Sequence, residues 1–108
     1  MFESVGVQVV TYHNEPAQLV RLAEAIAATA AAARSAGVRR VTVHFGDCSD
    51  RPCLLPVEAD LRNELAAAAD EVDIVEFGEN LGSGGGSNAL AARHSSDAIW
   101  VLNPDAYP

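Results

Sequence analysis

The chain contains no lysine, and its seven arginines are outnumbered by fifteen aspartates and glutamates. The resulting net charge is −8. A nucleic-acid partner requires a basic face that can neutralise phosphates, so this charge argues against one. It argues equally against docking on an anionic membrane surface. The remaining classes are soluble enzymes, small-molecule binders and protein-association modules.

Cysteines and long apolar runs are also scarce. The two cysteines, Cys48 and Cys53, are separated by Ser-Asp-Arg-Pro. This spacing does not suit a zinc knuckle, and no second Cys/His pair accompanies it. We expect two free thiols rather than a disulfide. The chain has neither an apolar run of bilayer length nor the basic-then-apolar start of a signal peptide, so we expect a cytoplasmic protein without a transmembrane segment.

The apolar pattern alternates between strand-like and helix-like segments. Apolar, β-branched runs predict strands at residues 5–10, 41–45, 73–77 and 98–102. A first helix is predicted to start at an Asn14 cap and to stop at Gly37, and a second to cover residues 57–69. A glycine-rich loop at 79–86 should lead into a short helix at 87–94. The helix faces expected to point inward carry Leu19, Leu22, Ile26 and Ala30, then Val57, Leu61, Leu65 and Ala68.

This order predicts one α/β domain over residues 1–108, a three-layer α/β/α fold with a mainly parallel four-stranded sheet. Strand–helix–strand units give right-handed crossovers with helices on both faces of the sheet. Ligands of such Rossmann-like sheets bind beyond the carboxyl ends of the strands, near the point where the strand order reverses. The polar segments Thr11-Tyr12, Asp47, Asn80 to Asn88 and Asn103-Pro104-Asp105 all follow predicted strands, so we expect them to share one edge.

The residue types in these segments suit a nucleotide. A carboxylate at Asp47 can accept the imino N–H of uracil or thymine, and the ring of Tyr12 can stack on a base. Glycines before a helix let the backbone approach phosphate. Asp105 is a hard oxygen ligand for Mg²⁺ or Mn²⁺. Each residue taken alone also fits an ordinary turn or strand end.

Two groups of residues do not form a recognised motif. The glycine-rich segment lacks the Gly-Lys-Ser/Thr ending of a phosphate-binding loop, and it does not follow the first strand as a dinucleotide fingerprint should. The three histidines, His13, His44 and His94, have no metal-ligand spacing. We therefore expect each histidine to be structural or exposed.

Four segments taken together resemble inverting glycosyltransferases of family 2, which have the GT-A fold. They are Val-Val-Thr-Tyr-His-Asn-Glu at 9–15, Gly-Asp-Cys-Ser-Asp at 46–50, Glu-Asn-Leu-Gly with Gly-Ser-Asn at 79–88, and Leu-Asn-Pro-Asp at 102–105. The closest subgroup is similar to rhamnosyltransferases and galactofuranosyltransferases. The resemblance covers nearly the whole chain and corresponds to the N-terminal half of that fold.

The resemblance implies a site for a UDP- or dTDP-sugar donor and a divalent metal, Mg²⁺ or Mn²⁺. By position in the motifs, Asp105 would hold the metal and Asp47 would read the pyrimidine. The other implied nucleotide-sugar contacts are Thr11, Tyr12, Glu15, Asn80, Gly85, Asn88 and Asn103. The chain departs from the family in having His13 where asparagine is common, Gly46 where many members have aspartate, and no arginine in the segment 86–88.

Family members transfer a sugar by a single displacement at the anomeric carbon, assisted by a carboxylate base and a metal. In the family the base and the acceptor site follow the metal motif, so no residue of this chain is assigned a catalytic role. We expect a donor-binding part that is inactive alone. Two other hypotheses stay open: a non-catalytic association module that dimerises through an exposed sheet edge, and a Rossmann-type nucleotide-binding enzyme.

Overall fold

The computed structural model describes residues 3–49, 53–94 and 96–102, apart from the side chain of Ser83. Strands and helices alternate along this part of the chain, which confirms the predicted α/β fold class. A single 3₁₀ turn, Leu55–Val57, precedes the second helix among these residues. The elements are β1 (Ser4–Thr11), α1 (Pro16–Ser35), β2 (Arg40–Asp47), α2 (Glu58–Leu65), β3 (Glu71–Glu76), α3 (Gly82–Ala91) and β4 (Ala98–Leu102).

The described strands form one parallel sheet in the order β3-β2-β1-β4. In the central strand β1, Val7 lies opposite Val43 of β2 on one side and Trp100 of β4 on the other. The chain adds β2 and β3 on one side of β1 and then crosses to β4 on the other side. The strand order therefore reverses between β1 and β4, where an open α/β sheet usually binds its ligand.

One face of the sheet carries the apolar core. Side chains alternate between the two faces of a strand, so every second residue of β1 and β2 points to the same side. On this side the core buries Val7, Val9, Val43 and Phe45 of the sheet with Leu19, Leu22 and Ile26 of α1 and Leu61 and Leu65 of α2. All eight helix residues predicted to point inward are buried, which confirms the predicted faces of α1 and α2.

The opposite face is covered by α3 and is less apolar. It carries Gly6 and Gln8 of β1, His44 and Gly46 of β2, and Asp73 of β3. On β4, the side chains of Ile99 and Val101 belong to this face and stay 46% and 52% exposed. Two helices on one face and one on the other give the predicted three layers for the described residues.

The first helix starts one residue later than the sequence predicts. Glu15 occupies the cap position without a side-chain cap bond, and Pro16 is the first helical residue. The amide of Asn14 donates to Gln18 Oε1 at 3.2 Å, and Asn14 Oδ1 accepts from the Tyr12 N–H at 2.9 Å. The prediction that Asn14 caps α1 was therefore wrong, because its side chain closes the turn after β1 instead. The predicted stop is confirmed, since Gly37 has a φ of 113° just beyond the helix.

None of the helices in the described part of the chain is long and apolar enough to cross a bilayer.

A matched pair of leucines tests the placement of the core. Leu61 is 0% exposed and Leu55 is 61% exposed, so the same truncation should destabilise the fold at Leu61 and have little effect at Leu55. We expect Leu61→Ala to lower the free energy of unfolding by about 2–5 kcal/mol, because it removes buried methyl groups and leaves a cavity. Leu55→Ala should change it by less than about 0.5 kcal/mol. Urea unfolding of both variants measures this, and equal losses would contradict the described burial.

Candidate functional site

The carboxyl ends of β1 and β2 are joined by three hydrogen bonds. The Cys48 N–H donates to the Thr11 carbonyl at 2.9 Å, and the His13 N–H donates to Ser49 Oγ at 2.8 Å. The Thr11 hydroxyl lies 3.3 Å from Asp47 Oδ1, to which it donates. The first two of the predicted polar segments therefore meet, at the edge of the sheet where a ligand is expected.

The Asp47 carboxylate organises the loop that follows β2. Its Oδ1 accepts from the Ser49 N–H at 3.0 Å, and its Oδ2 accepts from the N–H groups of Cys53 and Leu54 at 2.7 and 3.3 Å. The Cys53 thiol also lies 3.4 Å from Oδ1. Asp47 is 1% exposed. Its first role in this geometry is to bring residues 53 and 54 back to the end of β2.

Two opposing effects set the pKa of Asp47. Burial raises this pKa, but the hydrogen bonds from Ser49, Cys53 and Leu54 together outweigh burial and hold it below its ordinary value of 3.8. The carboxylate is therefore ionised at neutral pH, which strengthens it as an acceptor for a nucleobase N–H. Both of its oxygens already accept hydrogen bonds from the chain, so a base would have to share one of them. That Asp47 reads a pyrimidine stays a prediction.

The sequence did not identify the partners of Asp47. The bond from the Ser49 N–H is an Asx turn, which an aspartate two residues earlier favours and which could have been read from the sequence. The bonds from Cys53 and Leu54 come from residues six and seven positions after Asp47, and no local pattern predicts them. Cys48 and Cys53 are both free thiols, as expected.

The glycine-rich segment after β3 is helical rather than a loop. Gly82 to Gly86 form the first part of α3, and Gly82, with a φ of 74°, marks the change in chain direction. The side chain of Asn80 stabilises this start, because its Oδ1 accepts from the Gly82 N–H at 3.0 Å. The predicted boundary at residue 87 was therefore wrong: tertiary packing overrides the low helix propensity of glycine here.

Close packing between α3 and the sheet involves Gly86 of α3 and Gly46 of β2. A Cβ added to Gly86 would lie 2.8 Å from Val10 Cγ1, closer than real Cβ atoms come to other atoms. The backbone of α3 therefore reaches β1 because Gly86 has no side chain. A Cβ added to Gly46 would lie 2.6 Å from the ring of Phe77 and 3.2 Å from the Leu90 side chain, so Gly46 leaves room for these two side chains.

The remaining predicted contacts among the described residues are exposed. Tyr12 is 53% exposed at the end of the central strand, and its ring makes an edge contact with His13 at a centroid distance of 4.4 Å. Glu15, Asn80, Gly85 and Asn88 are exposed as well. The structure thus buries Thr11 and Asp47 together and leaves these five residues open to solvent. Asn88 lies well along α3, away from the glycine turn at its start.

The backbone turns left-handed at His13. This residue has a φ of 51°. Asparagine and histidine adopt this conformation more readily than most residues do.

The metal prediction falls largely outside the described residues. Within residues 3–49, 53–94 and 96–102, no group of three or more His, Cys, Asp or Glu side chains could hold a metal ion. Asp47 does not fit as a metal ligand, because it is buried and both oxygens are taken up by hydrogen bonds. Asn103 and Asp105 lie outside the described residues. A divalent metal at Asp105 stays a prediction.

Comparisons of the chain with protein-family models, with curated proteins and with solved structures found no match. The resemblance to family 2 glycosyltransferases therefore stays a prediction.

Two glycines of α3 make a matched test of this site. We expect Gly84→Ala to raise the free energy of unfolding by about 0.5–1 kcal/mol, because alanine favours the helix and a Cβ there meets nothing within 4 Å. Gly86→Ala should lower it by about 1–3 kcal/mol, because its Cβ would collide with Val10. Thermal or urea unfolding gives both values. Stabilisation by both substitutions would show that α3 does not pack closely on β1.

Proposed function

We propose that this chain is the donor-binding part of a sugar-nucleotide-dependent glycosyltransferase. It would bind a UDP- or dTDP-linked sugar at the carboxyl edge of the sheet. The observation that carries the proposal is the grouping there of the bonded Thr11–Asp47 pair, the exposed ring of Tyr12 and the glycine-rich start of α3. These groups surround the ends of the central strands, beside the reversal of strand order at which such sheets bind nucleotides.

The base would bind at the end of β1. Tyr12 offers a half-exposed ring for stacking, and its backbone is held by the bond from its N–H to Asn14. Thr11, the residue before Tyr12 and the last residue of β1, donates to the ionised carboxylate of Asp47. Stacking and a carboxylate acceptor suit a pyrimidine that carries an imino N–H. The family resemblance assigns the same chemistry to these positions.

The diphosphate would bind at the start of α3. The first N–H groups of a helix have no partner within the helix, and the helix dipole favours negative charge at this end. Here the first turns consist mainly of glycine, and a Cβ added to Gly84 would meet nothing within 4 Å. Phosphate oxygens could therefore approach the backbone closely. Asn80 caps this turn and is itself exposed.

The proposal gives this chain a binding role rather than a transfer step. A divalent metal, when bound, stabilises the departing nucleoside diphosphate. Among the described residues, Asp47 is the buried carboxylate of the site, and its hydrogen bonds leave it unsuited to take a proton from an acceptor hydroxyl. The chain's own residues would hold and orient the donor, and we expect no sugar transfer by the chain alone.

Calorimetry with UDP and dTDP, with and without Mn²⁺, tests the proposal. We expect weak binding of at least one nucleotide. Tyr12→Ala should weaken it by about 1–3 kcal/mol, the usual contribution of one base–aromatic stack. Tyr12→Phe keeps the ring and serves as the matched control. The absence of binding heat at millimolar nucleotide would contradict the proposal, and NAD binding without metal would favour a Rossmann-type enzyme instead.

A second candidate function is suggested by the edge strand. β4 is at the edge of the described sheet, and Ile99 and Val101 are 46% and 52% exposed there. An exposed apolar edge strand can pair with a second copy of the chain. Analytical ultracentrifugation of the chain and of a Val101→Glu variant tests this function. A tight dimer that is unaffected by nucleotide and dissociates in the variant would favour an association module over a donor-binding part.

A further inference from the structure

A stacked pair of histidines lies between α3 and the sheet, away from the proposed nucleotide site. The rings of His44 on β2 and His94 after α3 are 3.7 Å apart at their centroids and nearly parallel, at 9°. His44 is 1% exposed. A Cβ added to Gly6 would lie 2.6 Å from His94 Cε1, so the His94 ring also lies directly on the backbone of β1. The pair forms the contact between the sheet and the segment that ends α3.

Uncharged polar groups complete this contact. His44 Nε2 is 2.9 Å from the Thr42 hydroxyl. In the amide orientation that satisfies its neighbours, Gln8 Oε1 accepts from His94 Nε2 at 3.0 Å, and Gln8 Nε2 donates to the Ser87 carbonyl at 3.1 Å. The Ser96 hydroxyl lies 3.4 Å from His94 Nδ1. In this orientation His94 donates from Nε2, and its Nδ1 faces a hydroxyl that can either donate or accept.

The charged groups around the pair come from β3 and from the end of α3. Asp73 lies opposite His44 in the sheet, with Oδ2 3.6 Å from His44 Nδ1. The same oxygen accepts from Arg93 Nε at 3.1 Å, so the arginine already neutralises this carboxylate. Glu71, two residues before Asp73 on β3, affects the pKa of His44 only through its charge. Among the described residues, His44 Nδ1 is the buried side-chain polar atom that has no hydrogen-bond partner.

These surroundings favour a neutral His44. Burial, followed by the repulsion that a protonated His94 exerts, lowers the pKa of His44 from its ordinary value of 6.5, and together they outweigh the opposite effects of Asp73 and Glu71. Two stacked imidazolium rings at 3.7 Å would repel each other in a site with little water. Separation of the rings would let both be hydrated and charged.

We propose that the His44–His94 stack makes the attachment of α3 to the sheet sensitive to protons, so that the carboxyl-terminal end of α3 is released in mildly acidic solution. Because opening takes up protons, it should become more frequent as the pH falls below 6.5 towards the lowered value of His44. Each proton taken up can change the opening equilibrium by at most about tenfold per pH unit. Above this range the attachment should not depend on pH.

Amide hydrogen exchange on the whole chain at pH 7.5 and 5.5 tests this inference. After correction for the intrinsic exchange rate, we expect protection of the segment 87–94 to fall several-fold at the lower pH, while β1 and β2 lose much less. His44→Phe keeps a stacked ring without a titrating group and should remove most of this loss. His13→Asn removes a histidine outside the stack, at a backbone conformation that asparagine tolerates, and should leave the loss unchanged.

Titration of the histidine ring protons by NMR gives an independent result on the unmodified chain. We expect the His44 resonance to titrate below pH 6.5. Equal protection of the segment 87–94 at both pH values, or a His44 ring that titrates at or above its ordinary value, would overturn the inference. These two measurements decide the matter even if His44→Phe does not fold. Neither depends on nucleotide binding.

Discussion

β1 is hydrogen-bonded along both edges to parallel strands, to β2 over its whole length and to β4 from Val5 to Val9. Parallel neighbours cannot be joined by tight hairpins, so each connection must cross a face of the sheet. The crossovers place α1 and α2 on one face and α3 on the other. They also place the carboxyl ends of all the described strands at the same edge of the sheet. The segments at Thr11 and Asp47 meet for this reason, and the proposed site depends on this pairing.

The two faces of the sheet are packed by different kinds of side chain. On the α1 and α2 side, branched aliphatic side chains interlock around Phe45 and exclude water. On the α3 side, Gly46 and Gly86 allow close backbone approach, while buried Gln8 and His44 form hydrogen bonds. Buried polar groups contribute to stability only while they stay paired. The attachment of α3 therefore depends on protonation state, whereas the aliphatic core does not.

This asymmetry bears on the proposed function. The diphosphate would bind to α3, which packs on the face of the sheet that carries glycines and polar side chains. The base would bind at the ends of β1 and β2, the strands that also supply aliphatic side chains to the core. Thr11 and Asp47 are fixed by bonds between β1, β2 and the following loop. The start of α3 is held by the turn at Asn80 and by contact with Val10. A ligand that spans the two would join the ends of β1 and β2 to a helix whose opposite, carboxyl-terminal end can detach.

Regular features of the fold were predictable because they depend on local patterns. Runs such as the one that contains Val43 and Phe45 have no helical period, and the spacing of Leu19, Leu22 and Ile26 fits no other element. The glycine-rich start of α3 was missed because glycine has a low helix propensity, and the close contact of Gly86 with Val10 is not visible in the sequence. The predicted Asn14 cap was wrong because its Oδ1 accepts from the Tyr12 N–H and closes the turn after β1.

The candidate site was predictable to a similar extent and for similar reasons. The sequence places Thr11, Tyr12 and Asp47 at strand ends, and parallel pairing then brings them to one edge. It does not reveal that the Asp47 carboxylate is buried by Cys53 and Leu54, since that requires the loop to return. Nor does spacing reveal the stack of His44 on His94, which are distant in sequence and meet only through the docking of α3.

Mapping amide chemical shifts during titration with UDP and dTDP shows whether the carboxyl edge of this sheet is a nucleotide site. We expect shifts grouped at residues 11–14, 47–49 and 79–86. We expect no change at residues 39–41 and 70–71, which lie at the amino ends of β2 and β3 on the opposite edge. Shifts centred on that opposite edge, or no shifts at millimolar concentrations of both nucleotides, would contradict a nucleotide site at the carboxyl edge.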